Sequence, residues 1–282
     1  MKIISKISIG IILILVGIFF INATFQLLIA SNEKENESES LILKEENATS
    51  NEPILLGIGE NERFDPDTSI YHHSHDPAKM FDDFSNWPEW NENSEGSLSP
   101  NEKWVIAYKG GGIIDVVSDN HEINNNVVVL EPEFVENETR APLLLTKEKY
   151  KDFILSLDVR TDKQLRPENP NPWEVAWVLW RYVDDTHFNY FTLKPNGTEC
   201  GKYDGGVNPV DQLFICDSEF PTTYIGKWDH WDIIVKGDHI TILVNGKIIH
   251  DFDDNSSFDT GQIGLYNEDA RTSFDNITII PI

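Results

Sequence analysis

Residues 173 to 205, WEVAWVLWRYVDDTHFNYFTLKPNGTECGKYDG, carry the densest set of side chains able to do chemistry. If residues 173 to 182 form a strand, successive side chains point to opposite faces. Trp173, Val175, Trp177, Leu179 and Arg181 then share one face, and Glu174, Ala176, Val178, Trp180 and Tyr182 the other. Both faces are mostly apolar, which puts this strand inside a sheet rather than at its edge. The next strand sets Phe188, Tyr190, Thr192 and Lys194 on one side. Flat aromatic rings beside charged hydrogen-bonding groups suit a sugar, whose ring has an apolar C–H face and a polar rim. Trp177, Trp180, Arg181, Tyr190 and Lys194 form the candidate binding set. Glu174 and Glu199 are the candidate general acid and base, and His187 a proton carrier near neutral pH. A second reading fits the same residues: large aromatics are mostly buried, so the tryptophans serve equally as core, and Arg181 as a partner for Asp184 or Asp185.

A second constellation sits at the two ends of the folded part. FDDF at 81 to 84 and FDNI at 274 to 277 each set acids beside core-type aromatics. If the ends meet, Asp83 and Asp275 become candidate oxygen ligands for a structural Ca²⁺, with backbone carbonyls completing the shell. The alternative is a hydrogen-bonded edge, with Asp and Asn side chains satisfying turn amides. YHHSHDP at 71 to 77 offers His72, His73, His75 and Asp76, but no regular spacing puts three of them on one face, and a solvated segment is the simpler reading.

The elements that must position these residues are short and β-like. In FILSLDVRT (153 to 161), Phe153, Leu155, Leu157 and Val159 alternate with polar residues, the mark of a half-buried strand. WDIIVKGDHITILVNGKIIHDF (231 to 252) alternates twice around KGDH, and Asn245-Gly246 supplies the positive φ of a tight hairpin. KWVIAY, GIIDVV, NVVVLEP, APLLLT, WEVAWVLWRY, FNYFTLK and QLFIC are further strand candidates, and no amphipathic helix of ten residues stands out after residue 30. Many short strands with regular turn signals mean an all-β sandwich or barrel, and about 200 residues suit a jelly roll whose first and last strands are neighbours.

The opening MKIISKISIGIILILVGIFFINATFQLLIA places Lys2 and Lys6 before an apolar stretch from Ile7 to Ala30. Its length spans a hydrocarbon core, and lysines before it with acids after it would hold the N-terminus inside and export the rest. A cleaved signal peptide is the competing reading, although Leu28 before Ala30 and Ile21 before Ala23 give poor cleavage patterns. Residues 31 to 77 read as an acidic flexible spacer and 78 to 282 as the folded domain. The net charge of −26 rests on two lysines and no acid in residues 1 to 30, leaving −28 for the remainder. Such a field repels nucleic acid and favours cations, so no nucleic-acid partner is expected. The two cysteines, Cys200 and Cys216, suit a disulfide in an exported domain. Six Asn-x-Ser/Thr sequons lie outside the apolar stretch, at Asn36, Asn47, Asn137, Asn196, Asn255 and Asn276.

Four quoted stretches carry a family likeness: FDDFSNWPEWNENSEGSLSPNEKWVIAYKGGGIIDVV, WVLWRYVDDTHFNYFTLKPNGTECGKYDG, IGKWDHWDIIVKGDHITILVNGKII and GQIGLYNEDARTSFDNI. In this order they resemble concanavalin A-like lectin/glucanase domains, and within them the laminin-G-like and 3-keto-disaccharide-hydrolase-type domains of exported microbial proteins. The resemblance covers about residues 78 to 282. It implies a jelly roll of two curved antiparallel sheets with glycan chemistry on the concave face, either binding or catalytic. The Glu-x-Asp-x-(x)-Glu strand of family 16 glycoside hydrolases is missing: NEDARTSFD has acids at 268, 269 and 275. The Arg, Gln-x-His and Tyr motifs of alginate-lyase-like relatives are missing too. The expectation is therefore a membrane-anchored, extracellular carbohydrate-binding domain. A glycoside hydrolase or polysaccharide lyase is the first alternative and a structural or adhesion domain that binds protein the second.

Overall fold

The computed structural model describes residues 79–87, 90, 93–119, 125–205, 212–256 and 258–282. The apolar stretch and the whole acidic spacer, with the histidine segment at 71 to 77, lie outside the described residues. All regular structure among the described residues is β. In chain order the strands are β1 (Met80–Asp82), β2 (Trp104–Tyr108), β3 (Ile113–Ser118), β4 (Asn126–Glu131), β5 (Leu143–Thr146), β6 (Phe153–Gln164), β7 (Ala176–Asp184) and β8 (His187–Lys194). They continue as β9 (Gly197–Asp204), β10 (Gln212–Ser218), β11 (Trp228–Lys236), β12 (His239–Val244), β13 (Lys247–Asp253), β14 (Gln262–Asn267) and β15 (Ala270–Pro281).

They form two antiparallel sheets stacked as a jelly-roll sandwich. One sheet runs β13-β12-β11-β6-β15-β4-β3, with β1 also paired to β15; the other runs β10-β9-β8-β7-β14-β5-β2. The main core joins both sheets: Phe153, Leu155 and Leu157 of β6 and Ile233 and Val235 of β11 meet Val178 and Trp180 of β7 and Ile263 and Leu265 of β14. The alternation read from residues 153 to 159 is the inward face of β6, whose Phe153, Leu155 and Leu157 are fully buried. Asn245 and Gly246, both at positive φ, close the β12–β13 hairpin. Gly has no Cβ to clash in that conformation and Asn tolerates it, which is why this dipeptide starts the turn.

The two ends of the folded domain do meet. Met80, Phe81 and Asp82 pair with Ile279, Thr278 and Ile277, and Phe84 and Phe274 are both fully buried in the main core. Asp82 is buried and accepts from the indole N–H groups of Trp87 (3.0 Å) and Trp104 (2.8 Å), from Asn101 Nδ2 (2.8 Å) and from the Phe84 amide (3.2 Å). Asp275 and Asn276 form a bulge, where the β15–β6 register slips and Asn276 takes φ 51°. That accounts for two polar residues in an apolar strand. The bulge turns Asn276 outward to donate to Asp158 (2.8 Å), while Asp275 accepts from Asn125 Nδ2 (2.8 Å) and the Asn276 amide (2.7 Å).

Candidate functional site

A second hydrophobic cluster contains no residue of the β6-containing sheet. It joins Leu143 and Leu145 (β5), Trp177, Leu179 and Tyr182 (β7) and Tyr190 (β8), with Val175 just before β7. These residues lie on the outer face of the seven-stranded sheet, where a cleft of about 750 Å³ crosses the strands. Tyr108 and Tyr266 line one end, Trp173, Trp177 and Phe188 the middle, and Tyr203, Gln212 and Phe214 the other strands, with Lys194, Glu199, Asp185 and Glu268 as the charged lining.

The aromatic floor is a packed ladder. Trp177 lies 4.7 Å from Tyr190 and 5.9 Å from Tyr266, centroid to centroid, while Phe188 stacks on Tyr203 at 4.8 Å and on Tyr182 at 6.0 Å. Trp177 is fixed in plane because its indole N–H donates to the Trp173 carbonyl (2.9 Å). Trp173 itself is 43% exposed and Phe214 64%, so apolar ring surface is presented to solvent here.

One polar chain crosses the floor. Gln212 Nε2 donates to the Tyr190 hydroxyl (2.6 Å), which donates to Glu199 (3.1 Å), and Glu199 also accepts from Lys194 Nζ. Lys194 and Glu199 are both largely buried, a geometry that requires this mutual pairing. Gly201 makes the arrangement sterically possible: a Cβ there would stand 2.7 Å from the Tyr190 hydroxyl. Burial, with Glu199 alongside, holds the Tyr190 phenol well above its usual range.

At the other end, Tyr182 (2.7 Å) and Tyr108 (3.4 Å) donate to Asp185, and Tyr266 donates to Glu268 (2.9 Å). Burial raises the proton affinity of Glu268, and Asp269, Glu174 and Glu199 add to it, against the Tyr266 hydrogen bond. The Tyr108 phenol is raised by burial and by Asp185 and Glu268.

The expected site residues divide. Trp177, Tyr190, Lys194 and Glu199 come together here. Trp180 points the other way into the main core, as its parity with Trp177 requires. Arg181 and Tyr182 exchange the faces that strict alternation assigns them. Arg181 takes φ 51° in a bulge where the β7–β8 register slips, so Tyr182 joins the cleft face. Arg181 is buried and donates through Nη2 to the Gly237 carbonyl, and burial lowers its proton affinity. Glu174 is buried and accepts from Arg166 Nε and Asn171 Nδ2 (both 2.7 Å) without lining the cleft. His187 pairs with Asp184 (3.0 Å) and packs its ring on Phe258 rather than on the cleft rings. The cleft also holds residues that sequence reasoning left out. Tyr266 and Glu268 were readable: Ile263 and Leu265 point inward, so the intervening positions and Glu268 point out. Tyr108 was not, because a slip between Ile106 and Tyr108 in the β2–β5 register changes its face.

Away from the cleft, Cys200 and Cys216 are disulfide-bonded across β9 and β10, with Cα atoms 5.0 Å apart. Asp83 accepts from the Ser85 hydroxyl (2.7 Å) and amide (3.1 Å) and lies within electrostatic reach of Asp275. The chain-end region supplies these two carboxylates where Ca²⁺ takes six to eight oxygens. Among the described residues no group of three or more His, Cys, Asp or Glu side chains is placed to hold a metal ion.

Residues 76–280 match the model of the 3-keto-alpha-glucoside-1,2-lyase-like domain. The chain belongs to that family. The cleft and the junction of β1 with β15 lie inside the matched span. No curated protein sequence matches the chain. Among solved structures, the carbohydrate-binding module CBM66 from Bacillus subtilis aligns with a TM-score of 0.46 at 16% identity, over 66% of this chain and 96% of that one. A β-glucanase from Bacillus licheniformis aligns with a TM-score of 0.44 at 11% identity, over 73% and 99%. At such identities no residue's role carries over to this lyase-like domain.

Proposed function

We propose that the outer cleft of the seven-stranded sheet binds a saccharide. The observation that carries this reading is the meeting, in one cleft, of a stacked ring floor with the hydrogen-bonded set Gln212–Tyr190–Glu199–Lys194. Rings such as Trp173 and Phe214 take the C–H faces of pyranoses; Glu199, Lys194 and Gln212 take hydroxyls at the rim. The test is calorimetric titration of the full-length chain with neutral, amino and acidic oligosaccharides, beside Trp177→Ala and Glu199→Gln. Binding by the parent that weakens in both variants supports the reading; heat from no saccharide overturns it.

The family supports a second, catalytic reading: elimination from a 3-keto-α-glucoside. In such a reaction a base removes the proton on C2, acidified by the C3 ketone. The electron pair forms a C1–C2 double bond, and the C1–O bond breaks with a proton delivered to the leaving oxygen. Glu268, whose carboxyl has raised proton affinity, fits the base, and the Lys194–Glu199 pair fits the proton supply. The product is a conjugated enone, so growth of near-ultraviolet absorbance on a 3-keto-α-glucoside, lost in Glu268→Gln, tests it. A parent that binds the ketosugar and produces no enone rules this chemistry out.

We further propose that the domain works outside the cell, held by the segment from Ile7 to Ala30. Support comes from the length of that apolar segment, from the lysines before it and from the disulfide, which suits an oxidising compartment.

A further inference from the structure

We infer that the end of the cleft around Glu268 and Asp185 selects saccharides bearing a protonated amine, that is, amino sugars, over neutral or acidic ones. This rests on the saccharide reading and deepens it.

The exposed Asp185 and the half-buried Glu268 differ from the buried acids near the cleft. Glu199 is neutralised by Lys194, and Glu174 and Asp269 share Arg166, at 2.7 and 3.2 Å. Asp185 and Glu268 accept only tyrosine hydroxyls, and among the described residues no lysine, arginine or histidine forms an ion pair with either. Five acids thus stand against two bases in this region, an excess of three negative charges. Glu268 is the one of the two that is partly withdrawn from water without a cation, and an incoming ammonium offsets that penalty, while Asp185 adds an exposed negative charge beside it.

The walls suit the same ligand. Tyr108 lies within electrostatic reach of both Asp185 and Glu268, and Tyr203 within reach of Glu268 and Glu199. With Tyr266 and Phe188 these rings line the same cleft as the acids, and aromatic rings attract a cation most when it is desolvated. A uronic acid or sulfated sugar would meet like charge in the cleft and again in the field of the whole chain, whose net charge is −26.

The experiment compares trimers of one linkage on the full-length chain: glucosamine, its N-acetylated form, glucose and a uronic acid. We expect the glucosamine trimer to bind at least about tenfold tighter than the glucose trimer, an advantage that shrinks as salt rises. Glu268→Gln should cut the ratio to about threefold or less while the melting temperature holds, since it removes an uncompensated charge. Asp185→Asn should act in the same direction. Equal affinities for amino and neutral trimers, or preference for the uronate, overturn the inference and leave the saccharide reading standing. No binding by any trimer overturns both.

Discussion

Trp173→Ala separates a ligand-facing ring from a structural one. The side chain is 43% exposed and belongs to neither hydrophobic cluster, yet it lines the cleft. For an indole of about 250 Å², that exposure leaves about 100 Å² of ring surface available to a ligand. A pyranose covering half of it removes about 50 Å² from water, about 1.3 kcal/mol at 25 cal/mol/Å². That is about a tenfold loss of affinity. The backbone carbonyl that holds the Trp177 indole survives the substitution, so stability should change by less than about 0.5 kcal/mol. Trp180→Ala is the contrast: its ring is 1% exposed between the sheets, and truncation there should cost about 3–5 kcal/mol. Calorimetric titration with the best-binding oligosaccharide, beside urea unfolding of all three proteins, reads both quantities. If Trp173→Ala binds like the parent, or unfolds like Trp180→Ala, the cleft has been read wrongly.

Asp82→Ala leaves two indole N–H groups, a side-chain amide and a backbone amide without their acceptor, and should lower the unfolding free energy by about 3 kcal/mol or more. Urea titration checks it, and a loss under about 1 kcal/mol would mean the chain-end junction contributes little. Reducing the Cys200–Cys216 bridge, which spans 16 residues, should cost about 3 kcal/mol, seen as a lower urea midpoint in reductant that a Cys200→Ser, Cys216→Ser double variant reproduces. His230 contacts Asp158 (2.7 Å) and Asp232 (3.4 Å), and although burial opposes it, these carboxylates raise its pKa above 6.5. A raised histidine contributes fully below its unfolded value and loses the contribution as pH climbs through the folded one. The parent should therefore lose more stability than His230→Asn when pH rises from about 6 to about 8; parallel curves would refute the pairing.

Much of the sandwich was legible because periodicity and turn chemistry are local. Alternation at residues 153 to 159 marked the inner face of β6, Asn245-Gly246 marked a hairpin, and the two aspartate-flanked phenylalanines marked the joined ends. The cleft was legible only where alternation held. Trp177, Tyr190, Lys194 and Glu199 share it because no bulge intervenes between them and their expected faces. Arg181 sits where one does. Its left-handed backbone is stabilised by tertiary packing rather than by local propensity, and nothing in RYVDD announces it. The strand β9 is absent from the strand candidates, although Gly197, Thr198, Glu199, Cys200, Gly201 and Lys202 are all buried. Its glycines serve close approach, with Gly201 beneath the Tyr190 ring, and that demand exists only once the neighbouring strand is in place.

The claim that the outer cleft is where a saccharide sits is tested most directly by fluorine NMR of the full-length chain carrying 5-fluorotryptophan. Its eight tryptophans give eight signals, assigned by single substitutions. On adding an oligosaccharide, the signals of Trp173 and Trp177 should move in a saturable way, while those of Trp104, Trp180 and Trp231, all buried at 2% exposure or less, stay in place. Saturable shifts confined to Trp87, Trp90 or Trp228 would put the sugar elsewhere on the molecule and contradict the account.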